Sequence, residues 1–327
     1  MLDPQPLHIL IPVFDDWEVL GLLLERLDLA LERAGLCAEV LVLDDGSSLD
    51  AEAALVVPPL RAVGVLRVLE LKRNLGHQRA IAVGLCYAEK HLSPRPLVVM
   101  DGDGEDDPAD IAALLEAYRR EGGAKVVFAA RRRRSESLSF QVFYRLFQLL
   151  HYLLTGRGIR VGNYSLVPPR ALERLVVSAE IWSHYAAAVT NTRVPYTLVP
   201  TARAKRIAGR SRMNFTALVV HGLSALSLYS HVIGVRLLVL AAGVIGVSSL
   251  LLGLAWAGGL SDGPNFFLAL GLLSLLLQGT LGGLLFVFLL LSLRQMAVVV
   301  PSRDFSLFVR RCLDWPLATA GGEQAVE

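Results

Sequence analysis

The stretch Val98–Pro108, "VVMDGDGEDDP", runs from apolar residues straight into carboxylates at positions 101, 103, 105, 106 and 107. The apolar part reads as a buried strand, and the loop beyond a strand's carboxyl end is where open α/β sheets bind ligands. Asp107, Pro108 and Asp110 suit the start of the helix that "DDPADIAALLEA" predicts, because acidic residues and proline favour a helix N-terminus. Asp101, Gly102 and Asp103 have no such structural use. Two carboxylates flanking one glycine repel each other unless a cation offsets them, and the missing side chain lets a ligand or another backbone approach. Oxygen-only ligation favours a hard divalent ion, Mg2+ or Mn2+, with open positions for phosphate.

Outward from this stretch, "LHILIPV", "AEVLVLD", "VGVLRVLEL", "PLVVMD" and "AKVVFAA" read as strands separated by helical patterns. That alternation predicts an α/β domain with a Rossmann-like, mostly parallel sheet covered on both faces. The polar ends "FDD", "DDGSS", "KRNLGHQ" and "DGDGEDDP" are therefore expected to converge on one cleft.

The 327 residues carry a formal net charge of +2 and are 54% hydrophobic, too apolar for an ordinary soluble enzyme. Leu237–Ser261 and Gly263–Leu293 contain no charged side chain, and each exceeds the ~20 residues of a membrane-spanning helix. Two spans, about 237–260 and 266–293 within 233–293, are expected to form a hairpin through "SDGPN". Arg236 before it, and Arg294, Arg303, Arg310 and Arg311 after it, put both ends and the N-terminal portion in the cytoplasm by the positive-inside rule. The chain is thus expected to be a multi-pass protein of the inner (cytoplasmic) membrane. Residues 1–213 form the cytoplasmic catalytic domain, 214–232 an interfacial amphipathic helix, and 294–327 a poorly ordered cytoplasmic tail. "FQVFYRLFQLLHYLL" (140–154) fits a core helix or a membrane-surface helix equally. The start "MLDPQPLHIL" lacks the basic and apolar regions of a secretory signal. Cys37, Cys86 and Cys312 have neither metal-ligand nor disulfide spacing and read as reduced structural residues.

The strand ends resemble one family in order. "VVMDGD" resembles the DXD motif of family 2 glycosyltransferases with the GT-A fold, "IPVFDD" their P-x-Y-N-E, "VLDDGSS" their V-D-D-G-S, and "KRNLGHQRAIAVGL" their R-N-x-G-x-x-x-A-x-x-x-G. "VVFAARRRR" and "RIAGRSR" are similar to the V-x-G-x-R and R-x-x-G-x-S-K of the subgroup that loads sugars onto polyprenyl phosphates. Dolichol-phosphate mannose synthase and bacterial undecaprenyl-phosphate glycosyltransferases belong to that subgroup.

The resemblance implies roles residue by residue. Pro12, Phe14, Asp16, Leu43, Asp45 and Asn74 fall on positions that hold the nucleotide-sugar, as do Met100, Asp101 and Gly102. Asp101, Asp103 and Glu105 fall on those that hold the divalent metal. Arg131, Arg206 and Arg212, with Ser211, fall on phosphate-binding positions, where an arginine fork suits phosphate oxygens; with Asp103 these arginines form the catalytic set. The implied reaction is inverting transfer of one sugar from a UDP-sugar, in preference to a GDP-sugar, to a polyprenyl phosphate. Membrane lipid is an expected partner, a homo-oligomer is compatible with the two spans, and nucleic acid is not expected.

Several positions depart from the pattern: Phe14 for Tyr, Asp15 for Asn, Asp16 for Glu, Glu105 for Gln and Arg212 for Lys. "GNYSLVPPR" (162–170) departs further, with neutral Asn163 where bacterial relatives commonly carry an acidic residue. Arg132–Arg134 read as a solvated basic run, and His77, His184 and His221 as structural residues. A processive polysaccharide synthase would carry Q-x-x-R-W, which is absent. Transfer to a sugar or lipid hydroxyl, or donor binding without transfer, are the other readings.

Overall fold

β1 (Leu7–Val13), β2 (Ala38–Asp44) and β3 (Val63–Leu71) coincide with three of the apolar runs, while β4 (Leu97–Val99) and β5 (Val126–Arg131) overlap the other two. The computed structural model describes residues 6–131, 138–156, 161–202, 204, 206–207, 222–224, 226–257, 264–295 and 299–317. Between the strands run α1 (Trp17–Ala34), α2 (Ala51–Ala54), α3 (His77–His91) and α4 (Asp110–Arg120). All seven residues of β1 are buried, as a strand covered by helices on both faces requires.

The chain divides into two compact units, one comprising Met1–Ser137, Arg160–Phe215 and Val298–Glu327, the other Leu138–Ile159 and Thr216–Ala297. In the first, β6 (Ser165–Val167), β7 (Tyr196–Thr201) and β8 (Val309–Trp315) complete an eight-stranded sheet of order β7-β5-β6-β4-β1-β2-β3-β8. The sheet is mixed but mostly parallel, as expected: β6, between β4 and β5, and β8, beside β3, run against the common direction of the other strands. In its parallel centre, β4-β1-β2-β3, the order in which strands are added reverses at β1, whose neighbours are β2 and β4. Ligands bind at such a switch point, beyond the carboxyl ends of the strands.

The segment after the second apolar run is not the poorly ordered tail that its composition suggests. A short α10 (Pro301–Asp304) and a 3-10 turn (Phe305–Leu307) lead into β8 on the open edge of β3. Arg311 reaches back to the buried Glu70 at 2.7 and 2.9 Å and to Glu52 at 2.7 Å. Arg67 donates to Asp314 at 2.9 Å. Phe305 is buried beneath α3, with its ring 6.2 Å from that of His91. In residues 318–327 the chain lies outside the described part.

The second unit contains α5 (Leu138–Thr155), α8 (Ser230–Ala257) and α9 (Pro264–Gln295). Here the helix begins at Ser230, so Arg236 lies inside α8 rather than before it; its guanidinium donates to the Leu153 carbonyl at 2.6 Å. Most of the expected interfacial helix, 208–221 and 225, falls outside the described residues. Gly234 lies against the ring of Phe288, where a Cβ would approach to 2.8 Å, which brings the start of α8 to the end of α9. One described window, Ser230–Leu251, is long and apolar enough to cross a membrane, with a mean hydropathy of 2.1; the apolar stretch of α9, Leu270–Phe286, is shorter. Leu238 and Leu276 are 70% and 69% exposed.

Arg311→Met is expected to lower the melting temperature of the detergent-solubilised protein, because it leaves Glu70 buried beside a lost partner. Adding Glu70→Leu should restore much of the loss, as read by differential scanning fluorimetry.

Candidate active site

The ends of β1, β2 and β4 meet closely. A Cβ on Gly102 would lie 2.9 Å from the Pro12 carbonyl oxygen, so only glycine lets the acidic loop lie against the end of β1. Beyond β1, Asp15 adopts a left-handed φ of 53°, a conformation that Asp tolerates better than most residues. Its N–H donates to Ser47 Oγ at 2.8 Å, and its carboxylate accepts from the Ser48 N–H at 2.6 Å. These bonds tie the β1 loop to the "DDGSS" loop. Phe14, which follows β1, is 39% exposed.

Of the residues expected to hold the nucleotide-sugar, Leu43 and Met100 are fully buried, so they can offer a ligand only backbone. Pro12 is buried as well, while Asn74 is exposed. Asp45 accepts from the Leu75 and Gly76 N–H groups at 2.7 and 2.9 Å. It thereby fixes the loop that carries Asn74 and begins α3. Burial pushes Asp45 up to about 6 despite those two donors.

Asp101 and Asp103 stand beyond β4 on either side of Gly102. The Asp101 N–H is held by the Asp106 carboxylate at 2.9 Å, and Asp106 is itself buried. Asp103 Oδ1 accepts from the Glu105 N–H at 3.0 Å. Arg206 bridges across the cleft, with Nη1 3.5 Å from Asp103 Oδ2 and Nη2 3.5 Å from Asp16 Oδ2. Its segment lies along the acidic loop through Ala204 N–H to Glu105 O and Ile207 N–H to Asp103 O, at 3.1 and 3.2 Å. Ile207 covers Gly104, whose φ of +77° and lack of a Cβ make that contact possible. Burial raises the Asp103 pKa; the Glu105 N–H and Arg206 oppose this, while Asp101 and Glu105 add to it.

Among the described residues, no group of three or more His, Cys, Asp or Glu side chains is placed to hold a metal ion. Two carboxylates with oxygen donors only still fit a hard ion, since Mg2+ typically takes one or two carboxylates and fills its other positions with water and phosphate. Arg131 ends β5, but its side chain, like Ser211 and Arg212 altogether, lies outside the described residues, as do Arg132–Arg134 and His221. Asp16, Asp101, Asp103, Glu105 and Arg206 therefore share one region of the first unit.

His77, read from sequence as structural, has Nε2 3.2 Å from Asp101 Oδ1. Asn163, from the divergent "GNYS" loop, approaches the same nitrogen at 2.9 Å and accepts from Gln78 at 3.2 Å. Lone residues separated by dozens of positions give no sequence signal for such a set. His184 caps α7 (Tyr185–Asn191), which follows α6 (Pro169–Val176), accepting from the Ala187 N–H at 3.4 Å.

A sequence profile described as glycosyl transferase family 2 matches residues 8–182. The undecaprenyl-phosphate 4-deoxy-4-formamido-L-arabinose transferases of Salmonella paratyphi B and Salmonella newport are each 29% identical over 233 residues, covering 67% of this chain and 67% of theirs. Mannosyl-3-phosphoglycerate synthase from Rubrobacter xylanophilus is 15% identical with a TM-score of 0.46, over 69% of this chain and 73% of that one. Glucosyl-3-phosphoglycerate synthase from Mycobacterium tuberculosis, solved with Mn2+, UDP-glucose and phosphoglyceric acid, is also 15% identical with a TM-score of 0.46, over 70% and 80%.

Folded Asp45 holds its proton more tightly than its unfolded form, whose ordinary value is 3.8. Its contribution to stability is therefore greatest below about pH 4 and falls as pH rises towards about 6. Urea melts across that window should lose on the order of 2–3 kcal/mol more in the wild type than in Asp45→Asn, which cannot titrate. Separately, Gly102→Ala should cost about 1–3 kcal/mol of stability through overpacking against Pro12, read from the same melts at fixed pH.

Proposed function

We propose, from the premise that this chain belongs to glycosyl transferase family 2, that it moves a single sugar from a nucleotide-sugar to a polyprenyl phosphate at the cytoplasmic face of a membrane. The observation that carries this reading is the group Asp16, Asp101, Asp103 and Arg206: carboxylates beyond β1 and β4, faced by an arginine suited to phosphate. A divalent cation, Mg2+ or Mn2+, held by Asp101 and Asp103 with Glu105 close by, would supply Lewis acidity to the departing nucleoside diphosphate.

Transfer to a sugar hydroxyl calls for a general base, whereas a phosphate monoester with a second pKa of ~6 is already largely a dianion at neutral pH. The residues it needs are cations that let an anionic acceptor approach an anionic donor. Arg206 answers that need, with Arg131 at the end of β5 and Ser211 and Arg212 further along the same segment. Phe14, Asp16, Asp45 and Asn74 belong to the side that takes the base and ribose. The Salmonella relatives are named for undecaprenyl phosphate, which supports a polyprenyl acceptor; UDP is the preferred nucleotide.

Strand pairing supports a two-span membrane topology. β8, which follows α9, pairs with β3, which precedes α8. A single sheet lies on one side of a bilayer, so a crossing by α8 requires a second by α9, and the 32 residues of α9 exceed the ~20 that a span needs. The hairpin returns the chain to the catalytic domain, and flanking arginines put that side in the cytoplasm.

Membranes containing the protein, incubated with undecaprenyl phosphate, Mg2+ or Mn2+ and radiolabelled UDP- or GDP-sugars, should yield labelled lipid. Asp103→Asn should reduce its formation at least 100-fold, on the order of the loss seen when one electrostatic contact to the transition state is removed. Absence of labelled lipid with every donor would overturn the proposed reaction.

A further inference from the structure

We propose that Trp182 is a positioning residue for the loop 72–76, which joins β3 to α3 and carries Asn74; this rests on the assignment of Asn74 to the nucleotide side. Part of the loop is fixed from the end of β2. Asp45 accepts from the Leu75 and Gly76 N–H groups at 2.7 and 2.9 Å. Gly46, with a φ of +71°, lies so close that a Cβ there would stand 2.6 Å from the Arg73 carbonyl carbon and 2.7 Å from the Asn74 nitrogen.

A second set of contacts comes from the segment before β8. β8 pairs with β3 as far as Leu71, opposite Val309. One residue on, the Lys72 N–H donates to the Phe308 carbonyl at 2.8 Å, and Lys72 Nζ donates to the Leu307 carbonyl at 3.0 Å. The start of the loop is therefore tied to Phe308. The Phe308 ring in turn lies 5.0 Å from that of Trp182, within the range of favourable aromatic pairing. Just past the loop's end, in the first turn of α3, the Arg79 guanidinium stands 5.8 Å from the centre of the Trp182 ring, within reach of a cation–π contact. Trp182 ends the 3-10 turn Ala179–Trp182 and is 8% exposed.

One buried indole thus meets the groups that hold the loop at both ends. Lys72, Arg73 and Asn74 are themselves exposed, so the shape of this stretch depends on how its ends are held. Without the indole the loop samples more conformations before the donor arrives, and donor binding has to order it. Preorganisation of this kind sets affinity and leaves the chemistry that follows unchanged.

The test is nucleotide affinity, read by isothermal titration calorimetry of UDP and, separately, GDP into the full-length protein in detergent with Mg2+, together with donor KM and kcat in the labelled-lipid assay. Trp182→Leu is expected to weaken binding of the preferred nucleotide about fivefold and to raise the donor KM to match, with kcat at saturating donor within about twofold of wild type. Trp182→Phe, which keeps a ring for both neighbours, should recover most of the affinity. A merely structural role would lower kcat and the titration stoichiometry while leaving Kd and KM where they are. Arg79→Met, at an exposed position, tests the same link without opening the core. It should weaken the nucleotide about threefold in the wild type and have no further effect in the Trp182→Leu background, as coupled residues do. Unchanged affinity in either single variant, or an equal loss from Arg79→Met in both backgrounds, would overturn the proposal while leaving the donor reading intact. A wild type that binds neither nucleotide would overturn the donor reading and this proposal together.

Discussion

The approach of the acidic loop to the end of β1 governs the rest of the first unit. β4 pairs beside β1 rather than beside β3, and Gly102 removes the one atom that would strike the Pro12 carbonyl. Carboxylates from two strand ends then stand close together, partly out of water, and burial raises the pKa of Asp103. An isolated cluster of that kind is unfavourable. Arg206, whose neighbours Ala204 and Ile207 bond through their N–H groups to the Glu105 and Asp103 carbonyls, contributes the compensating charge, while Asp106 and Asp45 fix the loops on either side. A cleft built this way sets carboxylates beside an arginine, a charge pattern complementary to a cation and an anion held together.

Much of this was legible in the sequence, for a physical reason. β1, β2 and β3 are continuous apolar runs covered on both faces, and their signal is local. The acidic motif is local too. What was not legible depends on distant partners. β6 is three residues long and gains its identity from lying between β4 and β5. β8 carries two adjacent arginines that disguise a strand, and they become intelligible only when Arg311 meets Glu70, 241 positions away. The same holds for the site. His77 read as a lone histidine because Asn163, its neighbour in space, is 86 positions distant. Leu43 and Met100 followed the family pattern into the nucleotide site, yet their side chains belong to the core.

In the second unit, α8 and α9 carry large apolar side chains that are mostly exposed to their surroundings, whereas α1 buries a single face. Helices apolar all round need an apolar environment. Arg236 within α8 does not contradict this, since its guanidinium donates to the carbonyl of Leu153 near the end of α5.

The strand that closes the sheet is also the last to be made. While a ribosome extends the chain from the N-terminus, β3 has an open edge until residues 309–315 emerge, and both apolar helices are synthesised before them. An unpaired edge is a site of mispairing, and the wait imposes an order of events: the helices must find their environment first, and the domain is completed afterwards. Premature termination anywhere within the helices would thus leave a nascent domain bearing all of its carboxylate motifs but lacking its final strand, with the edge of β3 open to mispairing.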